Sequence, residues 1–236
     1  MKKVCIIPAR SGSSLKDKNI REMAGKPLLA YSIEQGLASS CERVFVTTDS
    51  ERYAEIARNY GAEVIMRPAK LAGALATDWG SMFHSLQHIE SLYYYPDVVL
   101  HLRPTSPIRR MQDIENMLDM MHDPAIDSVR SVSLCKQTPY KMWHMEDGRL
   151  IPVIESQEYW NLPRQALPEI YAQNGCIDVV RAEIIHSGSY YDDNRGSMTG
   201  KNIRGYICPG WDIDTEQDWQ EVAAIMEVLQ CFISSK

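Results

Sequence analysis

The sequence predicts an α/β fold in which helices cover both faces of a mostly parallel sheet, within one domain over residues 1–236. Short apolar runs alternate with amphipathic segments through the first half of the chain, which is typical of a parallel sheet. Hydrophobic residues make up 44% of the chain and charged residues 24%, as in ordinary globular proteins. A chain of 236 residues can bury a substantial core without disulfides.

Six short runs of apolar or β-branched residues predict the strands. The first run is bounded by Pro8, as expected where a buried strand meets a loop. The runs are residues 4–7, 43–48, 63–66, 97–102, 176–180 and 203–207. Parallel sheets bind ligands beyond the carboxyl ends of their strands, so the loops after these runs are the first candidates for a site.

Apolar residues that recur every three or four positions predict the helices. Pro27 lies near the first turn of the first helix, and Ser50 and Gly61 are suited to cap and stop the second. Thr215 begins the last helix, with Asp218 placed to complete a capping box. The helices are predicted around Leu29-Ile33-Leu37, around Tyr53-Ile56-Ala57-Tyr60, over 78–92, over 111–122, and around Trp219-Val222-Met226-Leu229.

Residues 134–172 differ in composition from the rest of the chain. They are rich in Pro, Gln, Trp and Tyr, and residues 150–154 are among the few that resemble a strand. The strand pattern of the core resumes at residue 176. We therefore predict that this stretch is an excursion from the single domain rather than a second domain.

Charge and composition limit the kinds of partner that the protein can bind. The formal net charge of -6 gives no general attraction to nucleic acid or to an anionic membrane. The first apolar run is too short for a signal peptide, and no run approaches the roughly 18 apolar residues of a membrane helix. Six cysteines are scattered without a C-x-x-C pair, which is typical of reduced thiols. The sequence predicts a cytoplasmic protein that binds neither nucleic acid nor membrane.

A basic loop of small residues follows the first strand at residues 10–19. Small residues let backbone N–H groups approach phosphate oxygens, and cations add charge for a polyphosphate. No Gly-Lys-Ser/Thr follows at the Walker A spacing, so the loop is either a different phosphate site or a solvated basic loop. The candidate nucleotide-binding residues are Arg10, Ser11, Gly12, Ser13, Lys16, Lys18 and Asn19.

Asp212 and Asp214 lie just before the last predicted helix. In an extended segment, two carboxylates spaced by one residue face the same side and can share a divalent cation. Mg²⁺ prefers a few carboxylates together with substrate phosphates, which suits a nucleoside triphosphate site. The alternative is that the two acids only stabilise the helix N-terminus.

Polar residues in two later segments are candidates for substrate contacts. Two prolines stiffen residues 102–109, which carry Arg103, Thr105 and Ser106 either as a substrate wall or as a plain rigid loop. Arg164 could clamp a substrate carboxylate, and Asn174 belongs to the run that follows it.

These motifs, in this order, resemble those of the acylneuraminate cytidylyltransferases, the CMP-sialic acid synthetases and their bacterial relatives. The resemblance spans nearly the whole chain, and its specificity lies in the ordered combination. The motifs are Ile7-Pro8-Ala9-Arg10-Ser11-Gly12-Ser13, Lys18-Asn19-Ile20, Gly25-Lys26-Pro27-Leu28, Thr47-Thr48-Asp49, Arg67-Pro68, residues 103–109, Asn174-Gly175 and Asp212-Ile213-Asp214-Thr215.

The resemblance implies a Rossmann-like fold and a homodimer that pairs through the 134–172 excursion. It implies that Mg²⁺ assists the transfer of the cytidylyl group of CTP to a nine-carbon 2-keto-3-deoxy sugar acid, with release of pyrophosphate. The resemblance assigns nucleotide binding and catalysis to Arg10 and Lys18, and Mg²⁺ binding and catalysis to Asp212 and Asp214. The remaining implied contacts are Ser13, Asn19 and Arg67 for the nucleotide, and Arg103, Thr105, Ser106, Arg164 and Asn174 for the sugar acid.

The chain departs from the family's pattern in two places. Ser13-Ser14 is followed directly by Leu15, so the loop is one residue shorter than the loops of the family and lacks their lysine. Lys16 could take the role of that lysine. Arg103 and Asp178 stand where many members carry a glutamine and an aromatic residue. The sugar acid therefore stays open among sialic, legionaminic, pseudaminic and other octulosonic or nonulosonic types.

Three other functions remain open from the sequence alone. A relative of this family could use UTP, GTP or ATP in place of CTP. The Asp-Ile-Asp motif also matches the D-x-D of glycosyltransferases, although that motif usually lies mid-chain. The shortened loop is also compatible with a relative that has lost catalysis and only binds its ligands.

Overall fold

The computed structural model of the chain describes residues 1–12, 15–73, 76–188 and 198–234. The strands of these residues are, in chain order, β1 (Lys3–Pro8), β2 (Glu22–Met23), β3 (Lys26–Pro27), β4 (Arg43–Thr48), β5 (Glu63–Met66), β6 (Val98–Leu102), β7 (Ser128–Leu134), β8 (Trp143–Glu146), β9 (Arg149–Pro152), β10 (Tyr171–Arg181) and β11 (Ile203–Ile207). Seven of these described strands form one sheet in the order β11-β7-β10-β6-β1-β4-β5.

Parallel pairing dominates this sheet, with one strand reversed. β1 is parallel to β4 and β6, β4 is parallel to β5, and β7 is parallel to β11. β10 is antiparallel to both of its neighbours, β6 and β7. The predicted α/β class with a mostly parallel sheet is confirmed.

Helices cover both faces of the sheet, as predicted. The helices are α1 (Leu28–Ala38), α2 (Glu51–Asn59), α3 (Asp78–Ser91), α4 (Met111–Met120), α5 (Gln157–Trp160), α6 (Ala182–Ser187) and α7 (Glu216–Ser234). Side chains of β1 alternate between the faces, so Cys5 and Ile7 pack with α1, α2 and α4. Val4 and Ile6 pack on the other face with α3 and α6. All four of these strand residues are fully buried.

The last helix, α7, belongs to a third apolar cluster rather than to either layer. Trp219 and Met226 of α7 pack with Ile213 and with Met23 and Leu28, which follow the first loop. This cluster brings the C-terminal helix beside the loop after β1, so residues from the two ends of the chain can share one site.

The predicted capping box at the start of α7 is present. The Asp218 carboxylate accepts from the Thr215 N–H at 2.7 Å, and the Asp218 N–H donates to the Thr215 hydroxyl at 3.2 Å. Ser50 precedes α2 as predicted, but its side chain makes no capping bond; its carbonyl instead accepts from the amides of Tyr53 and Ala54.

Several predicted boundaries are correct to the residue, and others need correction. The strands predicted at 43–48, 63–66 and 203–207 are β4, β5 and β11. The strand predicted at 176–180 is part of the longer β10, and α6 was not predicted.

The sequence also failed to predict β7, which lies inside the sheet. Polar residues interrupt its apolar pattern, and the structure accounts for them by pairing each one. Arg130 donates to Asp178 at 2.9 Å, and the Ser131 hydroxyl donates to Asn174 at 2.6 Å, both on the neighbouring strand β10. A polar residue can occupy a buried strand when a neighbouring strand supplies its partner.

The 134–172 excursion leaves the sheet between β7 and β10. Within it β8 and β9 form an antiparallel hairpin, and the short helix α5 follows. The predicted strand at 150–154 is observed as Arg149–Pro152. Large apolar side chains are exposed along the excursion: Met142, Trp143, Met145, Leu150 and Val153.

Two further predictions concern the thiols and the membrane. The five cysteines whose side chains are described, at positions 5, 41, 135, 176 and 208, are free thiols. None of the helices in the described residues combines the length and the apolar character needed to cross a bilayer.

Gly36 lies where α1 meets β1 and β4 and has no room for a side chain. A Cβ atom there would lie 3.0 Å from the Cys5 sulfur and 3.1 Å from Val44 Cγ1, both buried. Alanine favours a helix by about 1 kcal/mol over glycine. We expect this contact to outweigh that gain, so that Gly36→Ala lowers the free energy of unfolding in urea by about 1–3 kcal/mol.

Gly73→Ala is the control, because a Cβ atom at Gly73 meets none of the described residues within 4 Å. It should change the free energy of unfolding by less than about 0.5 kcal/mol. A Gly36→Ala protein more stable than the wild type would show that Cys5 and Val44 can move apart without cost.

Candidate active site

A cleft of about 300 Å³ opens where β1, β5 and β6 end and α3 begins. This is the carboxyl edge of the parallel strands, where open α/β sheets bind ligands. The cleft is lined by four cationic and two acidic side chains, among other residues. The lining residues are Pro8, Arg10, Lys18, Asn19, Arg67, Ala76, Thr77, Asp78, Ser81, Arg103, Pro104, Thr105 and Asp214.

Lys18 joins the first loop of the chain to its last segment. It lies on a single 3-10 turn and is buried, with 4% of its surface exposed. Its ammonium donates to the carbonyl oxygen of Ile213 and lies 3.4 Å from the carboxylate of Asp214. A buried ammonium needs such partners, because burying an unpaired charge is costly. Lys18 therefore fixes Asp214 at the cleft wall.

Asn19, next on the same turn, presents an unused acceptor. Its Nδ2 donates to the carbonyl oxygen of Arg10 at 3.2 Å, which fixes the orientation of the amide. Among the described residues, nothing donates a hydrogen bond to its buried Oδ1. Buried polar atoms normally have a partner, so this oxygen is suited to accept from an N–H of a ligand.

Ser11 is held by the acidic residue that follows β4. The backbone N–H and the hydroxyl of Ser11 donate to the two carboxylate oxygens of Asp49 at 2.9 and 2.6 Å. Partial burial alone would raise the pKa of Asp49, but the hydrogen bonds from Ser11 and the charge of Arg67 lower it below the usual value of an aspartate. Asp49 is therefore ionised at neutral pH and fixes the start of the loop.

Arg10 and Arg67 add positive charge to the cleft. Arg10 donates to the carbonyl oxygen of Gly73 at 2.9 Å. Arg67 is buried and donates to the carbonyl oxygens of Thr47 at 2.7 Å and Leu71 at 3.3 Å. Burial lowers the pKa of Arg67, yet an arginine stays protonated at neutral pH. Both side chains are held by carbonyl oxygens, which leaves their charges uncompensated by these contacts.

A row of four alternating charges runs from the cleft wall into the sheet. Arg103 donates to Asp78 at 2.7 Å and to Asp178 at 3.1 Å, and Arg130 donates to Asp178 at 2.9 Å. Burial alone would raise the pKa of Asp178, but the surrounding positive charges lower it, so its carboxylate stays ionised. Beside the row, burial and the charge of Arg103 lower the pKa of His101 to about 4, so its ring is neutral at pH 7.

The acidic segment before α7 is anchored on both sides. The N–H of Ile213 donates to the carbonyl oxygen of Thr105 at 3.0 Å, and the Ile213 side chain is fully buried. The Asp214 side chain is 74% exposed on the cleft wall. Asp212 lines an adjoining depression, which it shares with Arg103.

The residues of this segment fit a magnesium site that is completed by a ligand. Thr215 and Asp218 already cap α7, so Asp214 is not required for that role. No group of three or more His, Cys, Asp or Glu side chains in the described residues could hold a metal ion by itself. Mg²⁺ commonly takes one or two protein carboxylates and completes its shell with water and substrate phosphates.

The fold assembles many of the candidate residues in the cleft and places others elsewhere. Arg10, Lys18, Asn19, Arg67, Arg103, Thr105 and Asp214 line the cleft. Gly12 and Lys16 are exposed on the loop, and Ser13 and Ser14 lie outside the described residues.

Three substrate candidates and Asp212 lie away from this cleft. Asn174 shares the adjoining depression with Asp212 and is bonded to Ser131 and to the carbonyl oxygen of Cys208. Ser106 is fully buried behind the wall. Arg164 lines a separate depression on the excursion.

Asp78 is a cleft residue that sequence reasoning missed. The sequence predicted it only as the first residue of a helix, where an acidic residue is favoured in any case. Its partner Arg103 was identified 25 residues further along the chain, and the pairing is decided by tertiary structure. Thr77 and Ser81 were also missed.

Known proteins were found with similar sequences. The sequence model of one family, described as cytidylyltransferase, matches residues 4–137. The CMP-N,N'-diacetyllegionaminic acid synthase of Legionella pneumophila is 34% identical over 98% of this chain and 98% of its own. The N-acylneuraminate cytidylyltransferase of Escherichia coli O18:K1:H7 is 48% identical over 95% of this chain but 52% of its own, so this chain spans about half of that relative.

A solved structure with a similar fold supports the architecture. The CMP:2-keto-3-deoxy-manno-octonic acid synthetase complexed with CTP has a TM-score of 0.73 against this chain, at 22% sequence identity. The match covers 96% of this chain and 99% of that one. At this identity the likeness establishes the Rossmann-like α/β fold.

The contact between Asp49 and Ser11 gives a testable prediction for the loop. Asp49→Asn removes the negative charge and one acceptor oxygen, so we expect the Ser11 amide to exchange roughly 10-fold faster with D₂O, as for the loss of one hydrogen bond to a charged group. In the wild type, the protection should stay constant from pH 8 to pH 5 once intrinsic exchange is corrected for, because the lowered pKa of Asp49 keeps it ionised there. The protection is lost only as the pH falls through that pKa.

Asp119→Asn is the control, since Asp119 lies on the exposed side of α4. It should leave the exchange of Ser11 unchanged. Equal exchange of the Ser11 amide in Asp49→Asn and in the wild type would contradict the assignment of Asp49 as the anchor of the loop.

Proposed function

The chain belongs to the cytidylyltransferase family, and we propose that it joins CTP to a nine-carbon 2-keto-3-deoxy sugar acid to give the CMP-sugar and pyrophosphate. The observation that carries the proposal is the cleft in which Arg10, Lys18 and Arg67 face the carboxylate of Asp214. Cations suit a polyphosphate, and a carboxylate beside them suits the metal ion that accompanies it.

The nucleotide end of the cleft carries excess positive charge. Arg10 and Arg67 are held by carbonyl oxygens, while Lys18 has Asp214 as its acidic neighbour. We propose that these three cations hold the triphosphate and offset the charge that builds on the leaving pyrophosphate. Such electrostatic stabilisation is the main work of a protein in transfer at phosphorus, because the enzyme itself makes no covalent bond.

The Oδ1 of Asn19, which accepts no hydrogen bond from the described residues, supports cytosine over uracil. This oxygen needs an N–H donor, and cytosine carries an amino group where uracil carries a carbonyl oxygen. If this oxygen contacts the base, the amino group of CTP donates a hydrogen bond to it. With UTP, the carbonyl oxygen of uracil would instead lie against the Asn19 oxygen, and both are acceptors. The same argument gives no preference against ATP, which also carries an amino group.

We propose that Asp214 holds Mg²⁺, with Asp212 in the adjoining depression as a second candidate. The cation would neutralise phosphate charge and orient the triphosphate. The exposed carboxylate of Asp214 at the cleft wall supports this role.

We expect that the reaction does not require a strong general base among the protein's own side chains. The anomeric oxygen of the sugar acid bonds to the α-phosphorus as the bond to pyrophosphate breaks in line with it, and the hydroxyl proton passes to water or to the departing pyrophosphate. Asp49 is a poor base, because its pKa is lowered and both of its oxygens accept from Ser11. His101 is buried and, with a pKa of about 4, is also a weak base. The protein therefore contributes chiefly by positioning and by charge.

We propose that the acceptor is of the sialic, legionaminic or related nonulosonic type. The two relatives described above are named for legionaminic and acylneuraminic acids, and they support this range. Arg103, Thr105 and Asn174 would face the sugar acid from the far end of the cleft and the adjoining depression. Membership of the family argues against the D-x-D glycosyltransferase alternative.

We further propose that two copies pair through the excursion and that Arg164 serves the partner's cleft. Exposed apolar side chains such as Trp143, Met145 and Leu150 support an interface on this surface. In the described part of the chain, the depression that Arg164 lines and the cleft have no lining residue in common.

Pyrophosphate release tests the proposed reaction. The protein is mixed with Mg²⁺, with each of the four nucleoside triphosphates in turn, and with a panel of 2-keto-3-deoxy sugar acids. We expect release with CTP and at least one nine-carbon acid. No release from CTP with any acid would overturn the proposal. Consumption of a nucleotide sugar without pyrophosphate would favour the glycosyltransferase, and CTP binding without release would favour a binding-only relative.

Asp214→Asn should lower the rate of release roughly 10²–10³-fold, by analogy with the loss of one charge-stabilising group. The substitution keeps the size of the side chain but removes the acidic partner of the buried Lys18 ammonium, which retains the carbonyl oxygen of Ile213. We therefore expect the free energy of unfolding to fall by about 1–3 kcal/mol, and the rates are compared on folded protein. Asp119→Asn is again the control and should retain full activity. An unchanged rate in Asp214→Asn would exclude this carboxylate from the reaction.

Mixing two inactive variants tests whether Arg164 acts across a dimer. If Arg164→Ala and Asp214→Ala are each inactive, a mixed dimer has one site with both residues intact. After exchange of subunits at equal concentrations, activity should recover to about a quarter of the wild type, as expected for random pairing in a two-fold dimer. No recovery in mixed dimers would place Arg164 at the site of its own chain.

A further inference from the structure

Arg21 connects two segments that are 195 residues apart in the chain. Its guanidinium donates two hydrogen bonds of 2.7 Å to the two carboxylate oxygens of Glu216, the first residue of α7. The same guanidinium lies 4.2 Å from the centre of the Trp219 ring, one turn further along the helix. Arg21 therefore holds the start of α7 through a bidentate ion pair and a stacking contact.

The backbone of Arg21 belongs to the turn that carries Lys18. Its N–H donates to the carbonyl oxygens of Asp17 at 3.0 Å and Lys18 at 3.3 Å, and its own carbonyl accepts from Leu28 at 3.0 Å. The main chain on both sides is thus fixed. Any displacement of α7 that keeps the ion pair must also move the turn that lines the cleft.

Two contacts from this turn hold the chain on either side of Asp214. On one side Lys18 holds the carbonyl oxygen of Ile213, and on the other Arg21 holds Glu216, two residues after Asp214. The segment from 212 to 215 has no regular secondary structure of its own. These two contacts therefore decide where the Asp214 carboxylate lies relative to the cations of the cleft.

The exposure of the pair argues against a mainly stabilising role. Arg21 and Glu216 are 42% and 50% exposed, and exposed ion pairs commonly contribute little to folding, although a bidentate pair such as this one contributes more than most. The buried cluster of Ile213, Trp219 and Met226 holds α7 in place with or without the pair. What the pair adds is precision in the position of the helix start, next to a charged group of the site.

We propose that Arg21 is a positioning residue that, with Glu216, holds the Asp214 carboxylate at the place on the cleft wall that a nucleotide-bound divalent cation requires. This inference rests on the proposed function only in taking a nucleoside triphosphate and Mg²⁺ as ligands. It does not depend on the identity of the sugar acid.

Calorimetric titration with CTP, at a series of Mg²⁺ concentrations and in EDTA, tests the proposal on the intact protein. In Arg21→Ala and in Glu216→Ala, the Mg²⁺ concentration that half-saturates the enhancement of CTP binding should rise roughly 10-fold, the size of effect seen when a residue supporting a metal ligand is lost. CTP binding in EDTA should be unchanged. The Ile213 amide, bonded to Thr105, should also exchange faster with D₂O in both variants.

The chain offers a matched control in the ion pair of Arg43 and Glu63. It is also bidentate, and Arg43 also lies over an aromatic ring, that of Phe45 at 4.8 Å. Arg43 begins β4, at the end of the sheet away from the cleft. Glu63→Ala should leave both the Mg²⁺ dependence and the exchange of Ile213 as in the wild type.

The outcomes separate positioning from mere stability. A lower melting temperature in both variants with an unchanged Mg²⁺ dependence would overturn the proposal, as would CTP binding by the wild type that does not respond to Mg²⁺. If Arg21→Ala does not fold, Glu216→Ala decides the matter alone, because it leaves the arginine on its aromatic partner. Absence of pyrophosphate release with every sugar acid, with these binding results intact, would count against the proposed reaction and not against Arg21.

Discussion

The contact between the buried Lys18 ammonium and the segment before α7 is the interaction on which the candidate site depends. Lys18 is 4% exposed, and its partners are the carbonyl oxygen of Ile213 and the carboxylate of Asp214. An ammonium taken out of water without partners would destabilise the fold by several kcal/mol or more. The turn after the first strand and the end of the last loop therefore reach their final positions together. This makes the cation-rich loop and the acidic segment one site.

The two ends of the cleft differ in how their charges are compensated. At the end with Arg10 and Arg67, the hydrogen-bond partners are carbonyl oxygens, and Asp49 and Asp78 offset the charge of Arg67 only through space, so positive charge is left for an anion. At the other end, Arg103 is neutralised by Asp78 and Asp178 and acts as a fixed set of hydrogen-bond donors more than as a free charge. A polyphosphate is therefore favoured at the first end. The second end offers a rigid polar wall, which suits a substrate recognised by the shape and hydroxyl groups of a sugar.

Local signals in the sequence predicted the elements whose determinants are local. The strands β4, β5 and β11 follow from their β-branched and apolar residues, and the capping box follows from Thr215 and Asp218, three positions apart. β7 could not be found this way, because Arg130 and Ser131 break its pattern and their partners lie on β10. The residues of the candidate site divide in the same way, into those with local signals and those recognised only by a tertiary contact. The loop residues Arg10, Lys18 and Asn19 were identified from one short motif, whereas Asp78 is recognised as part of the wall only beside Arg103.

The sequence by itself determined the fold class, the family and the residue types of the site, since these depend on periodicity and on short motifs in a fixed order. Only the tertiary structure decided which of those residues share a space. It placed Asp214 on the cleft and Asp212 in the adjoining depression, and it put Arg164 on the excursion, away from the cleft of its own chain. The reason is physical. The opening motif from Arg10 to Asn19 becomes half of a site only when burial of α7 brings Ile213 and Asp214 onto Lys18, and no local preference encodes a contact across 195 residues.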